Sequence, residues 1–215
     1  MLFRSRLPEE PVFSSKTRPE KITAVSGFHL ENWIMENLTP AKIPIFFELP
    51  FNQGWEENLL AFNQILFSAN GRYRRSGIKI RCGGLEASAF PSPKQVAGAI
   101  TSCRDKGVPL KATAGLHHPI RHFDAAVQAK MHGFLNVFAA GVLTFANRLS
   151  EKEIQAIIED EDAKNFVFDD EGLRWKTHRA KTAQIEAARR EFITSFGSCS
   201  FDEPRDDLRA LGLIP

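Results

Sequence analysis

The run GIKIRCGGLEASAFPSPKQVAGAITSCRDKGVPLKATAG, residues 77–115, decides the fold. GIKIRCGG (77–84) is a short apolar stretch rich in β-branched residues and closed by two glycines, the pattern of a strand. SPKQVAGAITSCRDKG (92–107) opens with Ser92 as an N-cap and Pro93 at the first helical position, and it closes on Gly107, so a helix is predicted. VPLKATAG (108–115) is a second strand. Strand, helix and strand at this spacing make a βα repeat with parallel strands.

Working outward, KIPIFFELP (42–50) predicts another strand, and WEENLLAFNQILFSANG (55–71) a helix ending at Gly71. Residues 1–40, broken by four prolines, read as an irregular N-terminal extension in which FHLENWIMENL (28–38) is one short helix. Residues 41–215 read as a single α/β domain. Within it, GFLNVFAAGVLTFANRL (133–149) reads as a fourth strand running into a helix or as one buried helix, and its length favours the helix. SEKEIQAIIEDED (150–162) follows as a helix with a Ser150/Glu153 capping box. NFVFDDEGLRW (165–175) reads as a short strand and turn. THRAKTAQIEAARREFITSF (177–196) reads as one long amphipathic helix capped by Thr177, and residues 201–214 as a last short helix. The expected fold class is therefore α/β, a partial or complete TIM-barrel-like (β/α) repeat. A full eight-fold barrel needs about 250 residues. A partial one leaves sheet edges open, which makes a homodimer along an edge an expectation.

Composition narrows the class. A hydrophobic fraction of 43% and a charged fraction of 25% are those of an ordinary globular protein. A formal net charge of +2 offers no basis for a nucleic-acid or membrane partner. The local RYRR at 72–75 reads as a solvated helix end. Three cysteines, Cys82, Cys103 and Cys199, form no disulfide framework and no zinc-ribbon spacing, which fits a reducing cytoplasm. The most apolar segment is interrupted by Asn136 and falls short of the roughly 20 residues that span a bilayer. Cytoplasmic localisation is expected.

Candidate chemistry gathers at the C-terminal strand ends, where open α/β sheets and barrels bind ligands. Alternation puts Lys79 and Arg81 on one face of their strand, Lys111 and Thr113 on one face of the next, and Phe46 and Glu48 on one face of the first. Cations on a covered face are costly unless paired or facing a wet pocket. Two readings result: a polar pocket, or a structural Lys79–Glu48 pair with Lys as an edge guard. Gly83, Gly84 and Gly115 follow the strands and could let backbone N–H groups approach a phosphate.

LHHPIRH (116–122) places His117, His118 and His122 within six positions, with Arg121 among them. Imidazole at this density suits acid/base work or anion binding. The four-residue spacing of His118 and His122 also suits a metal, with Asp124 and His132 as further candidate ligands, although Pro119 disfavours helix at His118. Cys199, before the last helix, reads as a capping or packing residue.

KIRCGG and PLKATAG resemble the lysine-bearing strands of aldolase-type TIM barrels, notably the deoxyribose-phosphate aldolase family, with the order of the two motifs reversed. The resemblance implies a TIM-barrel lyase with Lys111 as the Schiff-base lysine and Lys79 as its neighbouring cation. FPSP, KATAGLHHPIR and FGSCSFDEP are similar to a group of bacterial hypothetical proteins, a likeness that implies no activity.

The leading expectation is an enzyme acting on a small anionic carbonyl compound, phosphorylated or not. Lys111, Lys79, Glu48, His117 and His118 would be catalytic. Arg81, Gly83, Gly84, Thr113, Gly115, Arg121 and His122 would bind substrate, with no metal ligand assigned and the cofactor left open. The alternatives are a metal-dependent hydrolase or lyase built on the histidine cluster, and a non-catalytic binding domain or barrel remnant.

Overall fold

A computed structural model describes residues 45–70, 76–197, 200 and 202–214. The expected extension at 1–40 with its short helix, the RYRR cluster and Cys199 lie outside the described residues.

The frame is a parallel sheet. Strand β1 (Phe46–Glu48) leads through helix α1 (Trp55–Asn70) to β2 (Gly77–Arg81), and α2 (Pro93–Lys106) leads on to β3 (Leu110–Thr113). The chain then makes a hairpin, β4 (His122–Asp124) and β5 (Ala129–Met131), followed by α3 (Phe134–Asn147) and α4 (Glu151–Glu159). An antiparallel meander comes next: β6 (Phe166–Asp169), β7 (Gly172–Trp175) and β8 (His178–Lys181). Helix α5 (Thr182–Glu191) returns the chain to the main sheet as β9 (Ile193–Gly197), and α6 (Asp202–Ala210) follows. The sheet order is β1-β2-β3-β9, all parallel, so its strands stand in chain order. Among the described residues the sheet is open, with β1 and β9 at its edges. The α/β class holds, and these residues form no closed ring.

The local signals explain the helices. Ser92 accepts from the Gln95 N–H while the Gln95 side chain accepts from the Ser92 N–H, and Gly107 closes α2 in the left-handed conformation. Ser150 and Glu153 form the same reciprocal cap on α4. One reading is corrected. The single helix expected over 177–196 is strand β8, the ten-residue α5 and strand β9. Phe192, Ile193 and Thr194, aromatic and β-branched, favour a strand, and β3 offers an edge to pair with; tertiary pairing overrides the helical periodicity. The hairpin β4–β5 also goes unread in the sequence, because its strands are only three residues each.

One sheet face is apolar and buried. Ile78, Ile80, Cys82, Leu110 and Ala112 lie on it under α1, α2 and α3. Burying each large aliphatic side chain contributes roughly 1.5–3 kcal/mol. Asn63, fully buried on α1, ties α1 to α2 by donating to Ser102 Oγ at 2.8 Å. The opposite face carries Glu48, Lys79, Arg81, Lys111, Thr113 and Ser195, all partly or well exposed. Helix α4 covers α2 and α3 as an outer layer. No helix among the described residues is long and apolar enough to cross a membrane.

A candidate metal centre beside the parallel sheet

Beyond the C-terminal end of β3 the chain turns through Ala114 and Gly115, both left-handed, at φ 62° and 67°. Gly115 lies against Gly83 at the end of β2: a Cβ on Gly115 would come within 2.8 Å of the Gly83 Cα. A Cβ on Gly84 would meet the Ala89 methyl at 2.7 Å. Gly83 and Gly115 allow two strand ends to touch and Gly84 admits the turn at Ala89, and these close approaches account for the glycines without a phosphate.

The turn delivers Leu116 to the core and exposes the histidines. The loop that carries them is fastened through its backbone. The N–H groups of Phe134 and Leu135, unpaired donors at the start of α3, bond the carbonyls of His118 (3.0 Å) and Pro119 (2.9 Å). The fully buried Asn136 accepts from the Arg121 N–H at 2.9 Å and donates to the carbonyls of Ile157 and Asp160 on the other side. Gly133 is required here, since a Cβ would strike the Pro119 carbonyl oxygen at 2.3 Å. The loop backbone is thus fastened independently of its side chains.

His118, His122 and Asp124 converge: one potential ligand atom from each lies within 4.8 Å of the others. The two imidazoles meet edge to face with centroids 4.5 Å apart. Nδ1 of His118 is 2.6 Å from Asp207 Oδ2, and Nδ1 of His122 is 3.1 Å from the Ile120 carbonyl oxygen. Both acceptors favour a proton on Nδ1, which leaves each Nε2 as the ring atom able to take a metal. The Asp124 Oδ1 accepts from the N–H groups of Ala126 (2.7 Å) and Val127 (3.2 Å). The Val127 and Ala126 bonds hold this carboxyl below its ordinary range, with a further contribution from the nearby His122 and His118. Two nitrogens and a carboxylate oxygen, each backed by its own partner, form a donor set for a divalent transition metal.

Helix α6 supplies the backing from the far end of the chain. Glu203 and Asp207, one turn apart, face consecutive histidines, with Glu203 Oε2 3.5 Å from Nδ1 of His117. These two acids were not read from the sequence as site residues. Their signal is an acidic pair at helical i,i+4 spacing just after a strand.

The other expected site residues fall into two groups. Arg121 is engaged elsewhere: its guanidinium stands 3.1 Å from Nδ1 of the buried His132 and 4.0 Å from Glu161. Burial pushes the His132 imidazole down to about 4, so it is neutral, donating from Nε2 to the Pro91 carbonyl at 2.7 Å and accepting from Arg121. His132 therefore supports the loop and is no ligand. On the polar sheet face, Lys79 makes an ion pair with Glu48 at 2.5 Å. Register sets Lys79 beside Lys111 and Arg81 beside Thr113.

The chain matches no protein-family profile, no curated protein and no solved structure.

Proposed function

We propose that this protein is a metal-dependent hydrolase or lyase, its metal held by His118, His122 and Asp124. The observation that carries the reading is the backed convergence of these three side chains: each presents a ligand atom to the others, and each is oriented by a hydrogen bond to a separate acceptor or donor. Tetrahedral zinc with nitrogen and oxygen ligands at 2.0–2.1 Å needs its ligands about 3.4 Å apart, so the cluster tightens by no more than about 1.4 Å on loading. Three protein ligands leave a position open, which is the arrangement of catalytic rather than structural sites. A bound metal would supply a polarised water or carbonyl there. Asp207 would orient His118, and His117 with Glu203 would stand at the rim as a proton-transfer pair.

The fold supports a site in this place. Parallel strands in chain order, helices on one face and a polar opposite face are what an arc of a (β/α) barrel would have, and functional groups of such arcs gather at the C-terminal strand ends. The Schiff-base reading of Lys111 has no comparable support.

Elemental analysis of protein purified after zinc or manganese supply tests the proposal. About one divalent metal per chain is expected, lost in His118→Ala and in Asp124→Ala. A wild-type protein that stays metal-free refutes it. Iron in place of zinc would move the reading from hydrolysis to oxidation, because two histidines and one carboxylate also suit ferrous oxygenases.

A further inference from the structure

The polar face of the sheet carries an imbalance of charge that the metal reading does not use. Glu48, Lys79, Lys111 and Ser195 occupy one row across four strands, since Glu48 pairs with Lys79, Lys79 with Lys111, and Lys111 with Ser195 in register. The next row toward the C-terminal edge is Arg81, Thr113 and Gly197. Neighbouring strands stand about 4.8 Å apart. Three cations are therefore crowded onto two adjacent strands, and Glu48 neutralises only Lys79. Among the described residues Lys111 and Arg81 have no carboxylate partner. Two hydroxyls, of Thr113 and Ser195, flank them on the same face. Lys111 is half-buried, so its charge is less screened than that of an ordinary surface lysine.

Like charges at this spacing repel, and among the described residues only Glu48, paired with Lys79, offsets them. From Thr113 the chain runs only five residues to His118, a reach of at most about 18 Å. From these observations we infer that Lys111 and Arg81 form an anchoring site for the anionic group of the substrate, a phosphate or a carboxylate, with the Ser195 hydroxyl as a further donor; the Thr113 hydroxyl donates to the Ile80 carbonyl. That the anion belongs to the substrate of the metal centre rests on the functional reading above; the anion site itself is measurable without a metal. Arg81 suits a bidentate contact with two anion oxygens, and Lys111 a point charge beside it.

The experiment is calorimetric titration of metal-stripped, dialysed full-length protein at low ionic strength, with inorganic phosphate in one series and succinate in another. Saturable binding of at least one anion is expected. Lys111→Gln and Arg81→Gln should each weaken it about tenfold or more, the scale of one charge-assisted contact. Lys111→Arg should retain most of it, which separates lost charge from lost fold. Lys130→Gln, whose partner Glu161 lies elsewhere, should change nothing. Tighter binding of phosphate assigns a phosphoryl anchor, and tighter binding of succinate a carboxylate anchor. No saturable binding of either anion, or binding indifferent to both Gln substitutions, overturns the inference. The titration is repeated on His118→Ala. Anion binding that persists there without metal keeps the anchor whatever becomes of the metal reading, and metal binding without anion binding removes the anchor alone.

Discussion

The Asp207 carboxylate stands 2.6 Å from Nδ1 of His118, joining helix α6 to the loop that follows β3. Neither group is deeply buried, so as a surface ion pair the contact is worth little, about 0–1 kcal/mol. Its effect is on orientation. Asp207→Asn should leave the unfolding midpoint nearly unchanged while weakening zinc binding about 10–100-fold, read by competition with a chromogenic chelator. Equal zinc affinity in the variant would show that α6 does not orient the ligand.

Asn136 is the joint between that loop and the helical layer. Asn136→Ala deletes bonds to the Arg121 N–H and to the Ile157 and Asp160 carbonyls together; of these the Ile157 oxygen still accepts from the Asp160 N–H, and the other two lose their partner at a half-buried joint. A loss of roughly 3 kcal/mol is expected in urea unfolding. Asn147, which bonds backbone carbonyls from a more exposed position, should cost clearly less on the same substitution.

Gly115→Ala should destabilise by at least about 2 kcal/mol, because the residue is left-handed and its new methyl would press on the Gly83 backbone. Gly107→Ala provides the contrast. It is left-handed too, but nothing lies within 4 Å of its missing Cβ. Its cost should stay near the backbone value of about 1 kcal/mol. Matched costs in equilibrium unfolding would remove the packing argument.

His132 gives the protein an acid-sensitive joint. Its folded value is about 4 against 6.5 for an ordinary imidazole. The unfolded chain therefore binds the proton first as pH falls. The stability from keeping this ring neutral is complete above pH 6.5 and is lost as pH drops toward 4. By linkage the loss between pH 7 and pH 5 is roughly 2 kcal/mol. Urea midpoints at the two pH values should show that slope in the wild type and a smaller one in His132→Gln.

Burial pushes the thiols of Cys82 and Cys103 up to about 12, the hydrogen bond to Asn63 working against this at Cys103. Both should resist alkylation at pH 8 in the native protein and react promptly in urea. Peptide mass mapping decides it; rapid native labelling of either would mean that the face under α2 opens.

The strand–helix–strand unit over 77–115 was legible because every signal in it agrees: two cap residues, a proline at N1, a terminal glycine and period-two strands. The fourth strand was not. Ile193–Gly197 follows a helix directly, and only the free edge of β3 makes a strand of it. The site divides in the same way. His118 and His122 announced themselves by density, and Asp124 by proximity. Asp207 and Glu203 lie some 85 residues beyond and look like ordinary charges of a solvated helix. Strand alternation puts Lys79 and Arg81 on one face, and the Lys79–Glu48 pair, one of the two sequence readings, is present; that Lys111 stands in the same row depends on the register between β2 and β3, which neither strand shows alone.

The pairing of β9 with β3 has a consequence for how the protein is made. Thr194 reaches the Leu110 carbonyl across 84 positions of chain. A ribosome adding about 5–20 residues per second leaves that edge of β3 bare for on the order of ten seconds. The acids of α6 emerge later still. The histidine loop is therefore synthesised, and pinned to α3, before the carboxylates that orient it exist. A nascent chain stalled before residue 202 would display the histidines with their α6 partners missing.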